Sequence, residues 1–185
     1  MPEMADTPVA PPAAAVNPRW RTCLHEAGHV VAGVALLKQT SRAAVFSDGG
    51  GVACLGGGSD VPQTDEEALA VAAGIAAGAL SHEYQPPQVQ PLPPVEDRYP
   101  ELASRLKARS GTTMSDDEAI ARWCIQGVEG RPHRWKRRHD RLHDQAASFV
   151  TVYTGKILEV ATALFGCGVI TLPAGPARKD QDHVG

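Results

Sequence analysis

Two histidines four residues apart with a glutamate between them, His25-Glu26-Ala27-Gly28-His29, are the residues of this chain best suited to chemistry. In a helix, side chains four apart share a face, so His25 and His29 stand one above the other. Imidazoles so placed can share one Zn²⁺ at about 2.0–2.1 Å each. Glu26 lies beside that face, close enough to take a proton from metal-bound water without being a ligand. Zinc lowers the pKa of such a water towards about 7, within reach of a carboxylate base, and it can polarise a scissile carbonyl. The expected chemistry is metal-assisted hydrolysis, with Glu26 as base and His25 and His29 as metal ligands. Zinc needs one more N or O ligand from distant sequence, for which Asp116, Asp117, Glu83, His82 and the histidines of the last helix are candidates.

The metal helix is expected over about Thr22–Lys38, where Leu24, Val31, Val34 and Leu37 recur at helical intervals without an intervening proline. Thr22 is the expected N-cap, and Gly28 and Gly33 let neighbouring elements approach. Ala43–Phe46 and Gly51–Leu55 flank Asp48-Gly49-Gly50 and read as a hairpin, with Gly56–Gly58 as a flexible exit. A second helix, about Asp65–Tyr84, opens on three acids and is nearly all small and apolar afterwards, the mark of a buried centre. Six prolines in Gln85–Pro100 predict a long loop or flap. A short helix follows over Glu101–Arg109. Ser115 with Glu118 three residues on reads as a capping box for the next helix. A final long helix runs from about His133 to Phe165 and stops at Gly166. Residues 1–18 and 173–185 read as a disordered lead-in and a flexible tail, leaving one domain over 19–172.

Composition supports a mainly α, α+β architecture: a helical bundle with a small β-hairpin beside the metal helix. Apolar residues make up 43 % of the 185 but aromatics only 5 %, so small aliphatics must fill the core, which favours close helix–helix contact. The net charge of −3 argues against a dedicated nucleic-acid binder. Cys23, Cys54, Cys124 and Cys167 form no C-x-x-C pair and read as reduced thiols of a cytoplasmic protein. No signal peptide is visible, and no uninterrupted apolar run approaches the roughly 18 residues of a membrane span. Arg131–Asp144 carries six Arg/Lys against two Asp and reads as a solvated helix face, with nucleic-acid contact through this basic helix as the alternative. His139 and His143 are also four apart there. The oligomeric state stays open, a homo-oligomer included.

Thr22–Leu37, TCLHEAGHVVAGVALL, closely resembles the zinc helix of the FtsH-type AAA+ metalloproteases. The glycine-rich hairpin, Ala72–Leu80 (AAGIAAGAL), Ser115-Asp116-Asp117 with Ala121, and the end ILEVATALFGCGVITL are similar to further segments of that family, so the resemblance spans about residues 20–172. It implies a zinc peptidase fold and, through the family's S-N-D segment, Asp117 as the third ligand, with Asp116 at the Asn position. Two departures stand out. The family's paired glutamates fall on Gly78 and Ala79, with Glu83 as a conceivable substitute. This sequence also contains no G-x-x-x-x-G-K-[ST] ATPase motif and no transmembrane anchor. The resemblance thus implies ATP-independent cleavage of unfolded or exposed polypeptide, with Val52–Leu55 as an edge strand to align it. A rival expectation is a non-catalytic zinc-containing interaction module.

Overall fold

The first helix begins earlier than Thr22, because Asn17 caps it. The Asn17 side chain accepts the Trp20 N–H at 3.1 Å, and Pro18 takes the first helical position, where its missing N–H costs nothing. The computed structural model describes residues 16–55, 61–110, 114–128 and 131–174; the expected glycine exit at 56–58 and most of the expected lead-in and tail lie outside them. Helix α1 spans Pro18–Leu37 and ends on Lys38 in the left-handed conformation, φ 57°. Thr22 has a different task from the one expected of it. Its hydroxyl lies 3.2 Å from the Pro18 carbonyl and 3.0 Å from that of Gly49, fastening α1 to the tip of the hairpin.

That hairpin is β1, Ser41–Val45, and β2, Gly51–Cys54, paired with Ala44 opposite Val52. Its turn closes as the glycine signal requires: Asp48 Oδ1 accepts the Gly50 N–H at 2.9 Å, and Gly49 takes φ 85°, which costs a residue without Cβ little. A third strand was not expected. Val169–Leu172 forms β3 and pairs antiparallel with the other edge of β1, Ala43 opposite Ile170, giving the order β2-β1-β3. Because β1 is central, Ala43, Ala44 and Val45 are all buried, and its sequence runs apolar instead of alternating.

Helix α2, Asp65–Gly78, is capped by Thr64, which accepts the Glu67 N–H at 3.1 Å. The α-helix stops at Gly78, short of the expected Tyr84, and tightens into a 3₁₀ turn over Ala79–His82. Its small residues Ala68, Ala70, Ala72, Ala73 and Ala77 are fully buried, as a central helix requires. The proline-rich segment is irregular up to Pro94, where a one-turn helix α3, Val95–Arg98, interrupts what was expected to be loop throughout. Leu92 N–H bonds to the Gly166 carbonyl at 2.9 Å, laying the segment along the end of the last helix. Helix α4 covers Pro100–Ser110.

Helix α5, Asp116–Gln126, forms half of the expected capping box. Ser115 Oγ accepts the Glu118 N–H at 3.3 Å, but the Glu118 carboxylate pairs with Arg122 at 2.7 Å instead of reaching back. Helix α6, Trp135–Cys167, outruns the expected Gly166 by one residue and ends where Gly168 turns left-handed, φ 71°, its N–H on the Leu164 carbonyl. By length and composition α6 contains a stretch apolar enough to cross a membrane, mean hydropathy 1.2. Its Ile157, Val160, Ala161 and Leu164, however, lie in the core beside Leu24, Val30, Val45 and Ala73. A second cluster joins α2, α5 and α6 through Ala72, Ile120, Trp123 and Leu142. A third sets the hairpin on α3 and α4 through Phe46, Val52, Val95 and Leu106. The result is the mainly helical α+β bundle with a small sheet beside α1.

The hairpin is also held by charge. Glu96 accepts the Ser47 N–H at 3.0 Å and hydroxyl at 2.8 Å, and pairs with Lys107 at 3.2 Å. Burial raises its carboxyl, but these donors outweigh it and bring it down to about 2. A carboxyl depressed on folding stabilises fully above its unfolded value and loses that contribution as pH falls through the folded one. The stability difference between wild type and Glu96→Gln should therefore be largest above pH 5 and vanish as pH falls towards about 2. Denaturant titrations across pH 2–6 would check this, and a pH-independent difference would contradict it.

A second prediction concerns the helices. A Cβ on Gly28 of α1 would stand 2.6 Å from Ala77 Cβ, 2.7 Å from the Ala73 carbonyl oxygen and 2.9 Å from Gly74 Cα, all on α2. Backbone cannot yield as a side-chain tip does. Gly28→Ala should destabilise by about 1–3 kcal/mol. Gly155→Ala on the open face of α6, where nothing lies within 4 Å, should stabilise by about 0.5–1 kcal/mol. Shifts of the two urea midpoints in the same direction would contradict this account.

Candidate metal centre

His29 is the most constrained side chain of the site. It points from α1 into α2 at Gly74, where an added Cβ would collide with the imidazole ring. Its Nδ1 lies 3.1 Å from the Ala70 carbonyl oxygen. A carbonyl only accepts, so Nδ1 carries the proton and Nε2 presents a lone pair. One turn earlier on the same face, His25 brings its Nε2 to 3.1 Å from His29 Nε2, the rings edge to face.

The third group comes from α5. Asp116, its first residue, places Oδ2 2.8 Å from His25 Nε2 and 3.0 Å from His29 Nε2. Asp117 was the expected ligand, and this is corrected: it is exposed, and the first turn of α5 aims its neighbour at the histidines instead. Consecutive helical residues point about 100° apart, so only one of two adjacent acids can face α1. His25, His29 and Asp116 form the one group of three or more metal-ligating side chains so clustered among the described residues; His82 and Glu83, exposed at the end of the 3₁₀ turn, stay outside it.

The triangle of 2.8, 3.0 and 3.1 Å is informative about charge. With Nδ1–H of His29 committed to Ala70, His29 Nε2 and Asp116 Oδ2 are two lone-pair atoms in contact, and a proton or a metal cation must lie between them. Without a metal, burial lowers the affinity of His29 for a proton, but its bond to Asp116 outweighs this and raises it. Burial raises Asp116, and the two histidines overcome that to hold it far below the usual carboxylate range. The donor set suits zinc. Two imidazole nitrogens and one carboxylate oxygen are its ordinary ligands, so these three residues could hold such an ion together. The Ala70 carbonyl supplies the outer contact that fixes ring orientation. The cluster opens to solvent on the His25–Asp116 side, where those side chains are 31 % and 36 % exposed, against 6 % for His29.

Glu26 sits beside this triangle with 6 % exposure. It packs against the start of β2, where a Cβ on Gly51 would stand 2.7 Å from Glu26 Cγ and 2.8 Å from Thr22 Cγ2. Burial pushes its carboxyl up to about 7; His25 opposes this and Asp116 adds to it. Glu26 takes no hydrogen bond among the described residues, which leaves its oxygens free for a water or substrate proton. Sequence reasoning missed Gly51, Gly74 and the Ala70 carbonyl as positioning groups. The two glycines carried a signal, each a residue without a side chain in an otherwise apolar element; the carbonyl carried none. Gly78, one of the two positions where the resembled family carries glutamates, does face α1: a Cβ built there would stand 3.7 Å from His25 Cβ.

No family model, curated protein or solved structure matches the chain.

Asp116→Ala should weaken zinc binding by more than the 10–100-fold typical of changes beside a ligand, and Asp117→Ala should do so far less. Competition with a chromogenic chelator measures both; the reverse order would put the wrong carboxylate at the centre.

Proposed function

We propose that the chain is a zinc-dependent peptidase, hydrolysing peptide bonds in unfolded or exposed polypeptide without ATP. What carries the reading is the convergence of His25, His29 and Asp116 within hydrogen-bond distances of one another, with Glu26 buried alongside. The resemblance of Thr22–Leu37 to the FtsH-type zinc helix supports the same reaction. His25, His29 and Asp116 would hold the metal. Bound zinc would supply Lewis acidity and a water of lowered pKa.

The remaining work falls to the chain's own groups. Glu26 accepts a proton from the attacking water and returns it to the leaving amine. Its seat against Gly51 places it where β2 begins. In the order β2-β1-β3, β2 keeps one edge without a strand partner among the described residues, so an extended polypeptide can pair there and pass the Glu26 side of the cluster. A folded substrate offers such a segment only in proportion to local opening, which is why unfolded chains are the expected substrates. The four free cysteines fit a reducing, cytoplasmic setting.

Glu26→Gln should keep its zinc and lose cleavage of a disordered polypeptide such as casein by about 10²–10⁴-fold, the worth of a general base. Wild-type activity should favour unfolded over folded substrate and ignore added ATP. Equal cleavage by Glu26→Gln and wild type would place the activity elsewhere. A zinc-loaded wild type inert towards unfolded chains would overturn the reading.

A further inference from the structure

The N-terminal half of α6 carries a second histidine pair in the same arrangement as the first. His139 and His143 stand one turn apart, both half-buried, with Nε2 atoms 3.1 Å apart, the separation also found between His25 and His29. Their ring centroids are 4.3 Å apart and their planes tilted by 45°. Such an approach is satisfied by an N–H···N bond or by a cation held between two lone pairs. With metal–nitrogen bonds of about 2.0–2.1 Å, two ligands of a tetrahedral ion lie about 3.3 Å apart, so the pair is already set at close to a chelating bite.

The surroundings favour the cation. Asp140 Oδ1 lies 3.7 Å from His139 Nδ1, on the side of the ring away from the bite, where its charge favours the tautomer with the proton on Nδ1 and a lone pair on Nε2. The Trp135 ring meets His139 nearly edge-on at 6.1 Å and limits its rotation. The nearby cations are directed elsewhere. Lys136 is paired with Asp140 at 2.7 Å, and the Arg138 guanidinium lies over Trp123 at 3.6 Å. Arg137 and Arg141 project from nearly the opposite side of the helix.

We infer that His139 and His143 form a second metal site, a two-imidazole chelate on α6 for a borderline transition-metal dication such as Zn²⁺. Two protein ligands make it the weaker site, with its other positions open to water or to a carboxylate. It is separate from the first centre, being built on α6 where the first draws its side chains from α1 and α5. The site is independent of peptidase activity, and its loss leaves the His25, His29 and Asp116 group intact.

Calorimetric titration of the full chain with Zn²⁺ tests this. Wild type should bind a tight equivalent and a second, weaker one. In the His139→Ala, His143→Ala double variant the second event should disappear while the first keeps its affinity. Each single variant should weaken the second event by at least the roughly 10–100-fold that changes around a metal ligand cost. Nuclear magnetic resonance of the imidazole Hε1 protons provides a second readout, with His139 and His143 shifting together during the second equivalent. A single equivalent in wild type would overturn the inference, as would a second event that survives in the double variant.

Discussion

The site depends on how closely α1 and α2 cross. Gly28 on one helix and Gly74 on the other remove the side chains that would hold the two apart. The His29 imidazole occupies the volume vacated at Gly74, so the ring is positioned by the backbone of α2. Its Nδ1 meets the Ala70 carbonyl one turn before Gly74, an oxygen with a second lone pair to spare beyond its helical bond. A larger residue at either glycine would separate the helices and carry His29 away from both Ala70 and Asp116. The poverty in aromatic residues follows from the same constraint. Helices that approach this closely must meet through Ala and Gly, and the buried aromatics lie elsewhere: Trp20, Phe149 and Phe165 in the part of the core reached by α6, Trp123 in the α5 cluster and Phe46 under the hairpin.

Much of this was legible because the signals are local. A helical HExxH, a glycine turn between apolar runs, acids opening α2, and Ser115 before α5 each depend on residues a few positions apart. The mainly helical α+β class followed from them. The strand β3 was not legible, since Val169–Leu172 is too short to show a period and is a strand only because β1 offers an edge more than a hundred residues away in sequence. Thr22 was the expected cap of α1, but Asn17 takes that place. The position of Pro18 decides for Asn17, and Thr22 is then free to bond the hairpin.

The third member of the cluster shows the limit of the sequence most clearly. Ser115-Asp116-Asp117 offers two acids with the same local role, stabilising the start of a helix. Which of them turns towards the histidines depends on the rotation of α5 about its axis. That rotation is set by Ile120, Trp123 and Cys124 packing against Ala68, Ala72 and Leu142. No spacing rule within the segment contains this information. Resemblance to the S-N-D segment pointed to Asp117, whereas the packed face of α5 puts Asp116 towards the histidines of α1.

Glu26 couples the small sheet to the chemistry. A buried carboxyl without a hydrogen bond is costly, and ordinary folding selects against it. Here the residue is enclosed by Gly51 and Thr22, and Thr22 in turn reaches the Gly49 carbonyl of the same hairpin. The hairpin tip is tied from its other side by Glu96 and Lys107. The enclosure that raises the Glu26 carboxyl therefore depends on a turn fastened at both ends. Movement of that turn would admit water and lower the carboxyl towards its ordinary value, weakening it for the role proposed above. Strand β2 begins at the residue that encloses Glu26, so an extended chain added to its edge would bring its backbone to the base and stiffen the turn in one step. Base strength and substrate alignment would then be controlled by a single element, the three glycines from Gly49 to Gly51.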